Sequence, residues 1–215
     1  MTDLALTHLG HSCVLVELGG ARILLDPGVF SPDAAGLTGL DAVLVTHQHA
    51  DHVDTDALPR LLEANPGAVL RADPQTAAQL GGSWQAGEPG TSFTVGAVTV
   101  GVEGGQHAVI HPDLDPVANV AYAFGTEGRP HALLHPGDAL HVPVHTPDVL
   151  ALPTVAPWLK LSEAVDYLRA VAPPVAVPIH EAVTSVPGMY YGHFENLAPG
   201  GTGVHVLPRG SADTL

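Results

Sequence analysis

The run Asp41-Ala42-Val43-Leu44-Val45 leads directly into Thr46-His47-Gln48-His49-Ala50-Asp51-His52, and no other stretch restricts the fold as much. Its first half is a short unbroken apolar segment, the pattern of a strand buried on both faces. Its second half places four metal-binding side chains within six residues. A buried strand that ends in such a cluster points to a layered sheet protein with its polar residues gathered at one strand edge. Open α/β sheets commonly place ligands there. His47 and His49 are two residues apart, so in an extended segment their rings point to one side. A tight turn beyond them can aim Asp51 and His52 at a second ion, roughly 3.5–4 Å from the first in two-metal sites. Imidazole and carboxylate suit zinc, and also manganese or iron. A merely polar loop is the competing account, and it gives no reason for so many ligand types at a strand end.

Around this segment the pattern is first β and then mixed. Residues 4–9, 12–18 and 21–26 read as strands, with Gly19-Gly20 marking a hairpin. A helix is expected over 54–64, where Asp54 or Thr55 can cap, followed by a strand at 68–71. Asp73-Pro74-Gln75 opens a second helix that stops at Gly81-Gly82, with a capping Asp ahead of Pro at the first helical position. Strands follow at 91–95, 98–102, 119–124 and 131–135, with a loop rich in His, Pro and Asp at 105–118. A strand at 148–152, a helix at 161–171 capped by Ser162, and a strand at 175–179 come next. Beyond them only loops and a closing strand at 204–207 are expected. Strands followed by helix–strand alternation, twice over, predict an α+β/α/β chain of two sheets faced by helices, an αββα sandwich. No linker or internal sequence repeat stands out, and residues 1–215 read as a single domain.

Composition excludes some partners. The formal net charge is −15, with one Lys and six Arg, so the clustered cations that neutralise a phosphate backbone are missing and nucleic acid is not expected. The single cysteine, Cys13, sits in a strand-like run and reads as a buried inert thiol. No apolar run approaches the ~18 residues of a membrane span, and the N-terminus has no signal-peptide pattern. A cytoplasmic protein acting on a small molecule, with no membrane partner, is the expectation.

Residues 46–52 resemble the signature of the metallo-β-lactamase superfamily, and further motifs occur in that family's order. They are Asp26 in Leu24-Leu25-Asp26-Pro27-Gly28, His107 in Gly104-Gly105-Gln106-His107, Asp138 after Gly137, and His180 in Val177-Pro178-Ile179-His180. The resemblance implies a binuclear centre, expected to hold two Zn2+ ions, or Mn2+ or Fe in their place. His47, His49 and His107 would bind one ion, Asp51, His52 and His180 the other, and Asp138 would bridge them. Asp26 would brace the ligand loop without binding metal. Within the superfamily, His8-Leu9-Gly10-His11-Ser12 and the segment from Pro157-Trp158-Leu159 look most like the small lactonase-like hydrolases.

Several residues have an ordinary reading beside the functional one. His111 competes with His107 for the ligand role and would otherwise line the pocket. Asp138 follows Pro-Gly and could be a turn residue, and His180 could be a satisfied strand-end histidine. Glu181 is either an acceptor behind a ligand or a solvated side chain. His8 and His11 are expected to serve the structure beneath the site. Trp158 is either an interface residue or part of a pocket wall. Tyr190, Tyr191 and His193 fall in a Gly-flanked loop where the family positions substrate, which makes them candidates for substrate binding. The expected activity is hydrolysis of a small ester, lactone, amide or phosphodiester, with Asp51 moving a proton. The alternatives are a di-iron oxidoreductase on the same fold and a non-catalytic metal-binding protein.

Overall fold

The chain builds one mixed sheet and then builds it again. In the computed structural model, which describes residues 3–215, the first sheet starts with three antiparallel strands: β1 (Leu4–Gly10), β2 (Cys13–Leu18) and β3 (Ala21–Leu25). It continues in parallel through β4 (Ala42–Val45), α1 (Leu58–Ala64), β5 (Val69–Ala72), α2 (Pro74–Leu80) and β6 (Gln85–Ala86). The second sheet follows the same plan. Four antiparallel strands, β7 (Ser92–Val95), β8 (Val98–Gly104), β9 (Val120–Thr126) and β10 (Arg129–His135), come first. A parallel run then follows through β11 (Val149–Pro153), α3 (Leu161–Val171), β12 (Val175–Ile179), α4 (Pro187–Leu197) and β13 (Gly203–Val204). A short last strand, β14 (Ala212–Thr214), returns to pair antiparallel with β1.

Side-chain alternation explains the layering. Ala42 and Leu44 face the other sheet, where with Leu6, Val16 and Ile23 they meet Val100, Tyr122, Phe124, Val149 and Val177. Val43 and Val45 face outward and are covered by Leu58 and Leu61 of α1 and Ala77 of α2. Leu150 and Leu152 face outward likewise, onto Ala164, Leu168 and Val171 of α3 and Phe194 of α4. Both faces of the central strands are therefore buried, which is why they read as continuous apolar runs. Each fully buried Leu or Phe contributes about 1.5–3 kcal/mol to this packing.

Most of the expected elements are present, shifted by a residue or two at their ends, but α1 starts at Leu58 and not at 54, with Ala57 at its N-cap and residues 55–57 in turns. The capping Asp73 accepts hydrogen bonds from the Gln75 and Thr76 amides, and Asp54 Oδ1 accepts from those of Asp56 and Ala57. Helix α3 begins one residue before the expected cap. Lys160, not Ser162, stands at its N-cap, with Glu163 accepting from the Lys160 amide at 2.9 Å. The larger differences lie after β12, where the expected loop is helix α4 and the expected strand at 204–207 shrinks to β13.

Candidate metal centre

Every side chain of interest sits at one edge of the sandwich. Asp26 ends β3, the segment 46–52 follows β4, His107 follows β8, Asp138 follows β10 and His180 follows β12. Backbone bonds stitch these strand ends together, two of them across the two sheets and one within the second sheet. The Val120 amide donates to the Thr46 carbonyl at 3.0 Å, that of Ala108 to the Asp138 carbonyl at 2.8 Å, and that of His180 to the His11 carbonyl at 2.9 Å.

Two glycines make the close approach possible. A Cβ on Gly28 would overlap the Asp51 carbonyl, and one on Gly137 (φ +59°) would overlap Asn119 Oδ1 and press on Thr46. Asn119 in turn accepts from the Asp138 amide at 3.0 Å and donates to the Pro136 carbonyl at 2.9 Å, fixing the turn that presents Asp138. Among the described residues, three of the four non-glycine positions with positive φ, His11, Asp26 and His180, belong to this edge. Such conformations cost on the order of 1–3 kcal/mol each, and clustering at functional sites is their usual context.

The ligand candidates form two groups. His47, His49 and His107 converge in one, and Asp51, His52 and His180, with His11, in the other, the potential ligand atoms of each group lying within 4.8 Å of one another. Asp138 stands between them. Its Oδ1 is 3.1 Å from Nε2 of both His52 and His180, and its Oδ2 is 3.4 Å from His107 Nε2. His111 lies outside both groups, largely exposed and 3.7 Å from Asp113, so His107 is the histidine that the fold brings to the cluster.

The second nitrogen of each ring explains how the first is aimed. Nδ1 of His107 faces the Ala108 carbonyl at 2.6 Å, and Nδ1 of His180 faces the Val155 carbonyl at 2.7 Å. Nδ1 of His52 faces Asp26 Oδ2, also at 2.7 Å. Thr46 Oγ1 donates to Asp26 Oδ2, so it can only accept from His47 Nδ1 at 3.1 Å. In each neutral ring the proton is therefore on Nδ1 and a lone pair on Nε2 points inward. Nε2 of His52, His107 and His180 and Oδ1 of Asp138 are buried and make no well-aligned hydrogen bond, only the close contacts between these rings and Asp138. Buried polar atoms are seldom left this way. Converging lone pairs from imidazole and carboxylate are what a divalent cation requires, so the residues present fit a metal.

The electrostatics of the metal-free chain agree. Burial lowers the basicity of His47 well below the ordinary range, and the nearby His52 charge lowers it further. Burial would also lower His52, but the Asp138 and Asp26 carboxylates on either side outweigh it and hold its pKa well above the usual value. Burial raises Asp138, and the His52 charge more than reverses this, leaving it well below the carboxylate range. Asp51 is half-buried, which raises it, but the His11 hydrogen bond draws it down to about 2. A positive charge on the His52 ring is thus favoured between Asp26 and Asp138, and a cation bound at Nε2 would take the place of that proton.

Other expectations are met differently. His11 is not beneath the site but in it, with its ring centroid 3.8 Å from that of His180. His8 does lie beneath, against the His11 carbonyl at 2.8 Å and Glu181 at 3.3 Å. Glu181 accepts from the His11 amide at 3.0 Å, which makes it a brace and not a solvated side chain. Tyr191 and His193 fall on α4, where Tyr191 packs against the outer face of the second sheet and His193 is exposed. No contact among the described residues joins either to the cluster. Sequence reasoning missed Asn119 as a positioning residue and left Trp158 undecided. Trp158 donates from Nε1 to Asp138 Oδ2 at 2.8 Å.

Residues 5–180 match the family model of the β-lactamase superfamily domain. The chain belongs to the metallo-β-lactamase superfamily. The Mycobacterium tuberculosis protein Rv0786c is 53% identical over 212 residues, covering 98% of this chain and 99% of its own. A metal-dependent hydrolase from Aeropyrum pernix is 35% identical over 71 residues, 31% of this chain and 28% of that protein. Among solved structures, the Ignicoccus hospitalis metallo hydrolase Igni18 superposes with a TM-score of 0.79 at 21% identity, covering 99% of this chain and 98% of its own. The metallo-β-lactamase fold places its candidate ligands here at the seam of two equivalent sheets.

Proposed function

We propose that this chain is a metal-dependent hydrolase that uses two divalent cations on a small ester, lactone, amide or phosphodiester. The observation that carries this reading is the gathering of the buried Nε2 atoms of His52, His180 and His107 around the two oxygens of Asp138. His47, His49 and His107 would hold one ion, Asp51, His52 and His180 the second, and Asp138 both. Ions bound there would supply hydroxide near neutral pH and polarise the substrate's carbonyl or phosphoryl oxygen. Asp51, drawn down to about 2, is ionised at neutral pH and so accepts a proton where it could not supply one. The donor set is all nitrogen and oxygen, which suits zinc and also manganese or iron.

Beside the centre, the loop from Gln106 to Val117 encloses a cavity of about 440 Å³ lined by His107, Val109, Ile110 and Leu114. Its size falls in the range of small-molecule pockets, roughly 300–1,000 Å³, and its lining favours a substrate with an apolar body. The test is metal analysis of the purified protein together with a panel of esters, lactones, amides and phosphodiesters. Asp138→Ala and His52→Ala should each lose metal and turnover, and full activity in either would overturn the assignment. Iron with a visible absorption band and no hydrolysis would turn the reading to redox chemistry.

A further inference from the structure

Both carboxylates of the centre are gripped by residues outside the ligand set. Asp51 Oδ2 lies 3.0 Å from His11 Nε2, and Asp138 Oδ2 accepts from Trp158 Nε1 at 2.8 Å. The His11 contact could be read in two ways, because His11 stands in one group with Asp51, His52 and His180 and a ligand role would suit its position.

The other ring nitrogen decides. The Ala182 amide donates to His11 Nδ1 at 3.2 Å, so Nδ1 carries a lone pair and the ring proton is on Nε2. His52 and His180 are arranged the opposite way, with Nδ1 against an oxygen acceptor and the lone pair on Nε2. His11 therefore presents an N–H where its neighbours present lone pairs, and that N–H points at Asp51. An indole nitrogen is a donor only, so Trp158 has the same effect on Asp138. It fixes the carboxylate with Oδ1 3.1 Å from His52 and His180 and Oδ2 3.4 Å from His107.

We propose that His11 and Trp158 are positioning residues, each holding Oδ2 of a metal-binding carboxylate so that Asp51 and Asp138 present their oxygens to the ions in one fixed orientation. A carboxylate's terminal torsion is broad and two-fold, and without these donors its plane would be free to turn away from the ligand histidines. The backbone supports the assignment of His11. It occupies the β1–β2 turn at φ +55°, buried against Phe30 and His180, a placement that fixes its ring. Trp158 is fixed by packing beside α3 and stands edge-on to the His107 ring at 5.9 Å. The inference rests on the metal-binding part of the proposed function.

The test is zinc binding in competition with a chromophoric chelator, together with the visible spectrum of the cobalt-substituted protein, which reports coordination geometry. Loss of such supporting hydrogen bonds typically weakens metal binding by about 10–100-fold. His11→Ala and Trp158→Phe should each weaken zinc binding to that extent and alter the cobalt spectrum. His11→Gln, which restores an N–H donor, should bind close to the parent chain. Circular dichroism with chelator present establishes that each variant is folded, and if His11→Ala is not, Trp158→Phe carries the comparison. Parent-like affinity and spectra in both loss variants would overturn the inference. So would His11→Gln binding as weakly as His11→Ala, together with the loss of one whole ion, because His11 would then be a ligand. A parent chain that binds no divalent metal would instead sink the proposed function itself.

Discussion

Replacing Asp26 with Asn tests how the ligand loop is held without removing any ligand. Asp26 is fully buried and accepts three hydrogen bonds, from the Thr46 amide at 2.7 Å, Thr46 Oγ1 at 2.8 Å and His52 Nδ1 at 2.7 Å. Asn keeps the shape and tolerates the left-handed backbone at φ +47°. If Oδ1 stays on the Thr46 amide, the new NH2 group faces the Thr46 hydroxyl and His52 Nδ1. Either two donors oppose each other in a buried site, or His52 moves its proton to Nε2 and gives up the lone pair it offers to metal. Either outcome costs about 1–3 kcal/mol. At 1.4 kcal/mol per tenfold, that predicts zinc binding weaker by about 10–100-fold, in line with measured effects of such supporting groups. Chelator competition measures the affinity, and nitrogen NMR of the His52 ring reports its tautomer. Parent-like affinity with the His52 proton still on Nδ1 would refute the reasoning.

Other outcomes follow from the same geometry. Gly28→Ala should prevent the 46–52 segment from seating, because its Cβ would overlap the Asp51 carbonyl; the check is metal content and thermal unfolding, both expected to fall. Burial pushes the Cys13 thiol up to about 12, so a thiol reagent at neutral pH should label none of the folded chain and one site once it is denatured. For the metal-free chain the sign of the pH dependence can be worked out. His52 and His8 have raised folded values, so their stabilisation is complete below the unfolded value near 6.5 and is lost as pH rises through the folded one. The histidines whose folded values are lowered, such as His47, His49 and His135, are already neutral in both states above that pH. Melting temperature of chelator-treated protein should therefore fall between about pH 7 and pH 8, and a rise would contradict the assignment of charge to His52.

Much of this was legible in the sequence because local and tertiary signals agree. Residues 42–45 and 175–179 are apolar on both faces since each sheet is covered on both sides, and the Asp73-Pro74 start of α2 follows from capping chemistry alone. Helix α4 was hidden because Pro187, Gly188 and Gly192 are poor helix formers and its only buried anchor is Phe194. Strand β14 is a short, partly exposed edge whose existence depends on pairing with β1. The ligands were readable as strand-end motifs, whereas Asn119 was not marked by anything local, and His11 and Trp158 stood out only as parts of family-like segments with no role attached. Their roles come from contacts made across the chain, 40 residues apart for His11 and Asp51 and 20 for Trp158 and Asp138.

The seam between the two sheets has a consequence for folding kinetics. His47, His49, Asp51 and His52 come from the first sheet, and His107, Asp138 and His180 from the second, so the full ligand set exists only after the halves have docked. Interactions that form after the transition state slow unfolding and leave the folding rate nearly unchanged. Bound cations would act here as a late clasp. They would lengthen the lifetime of the native state.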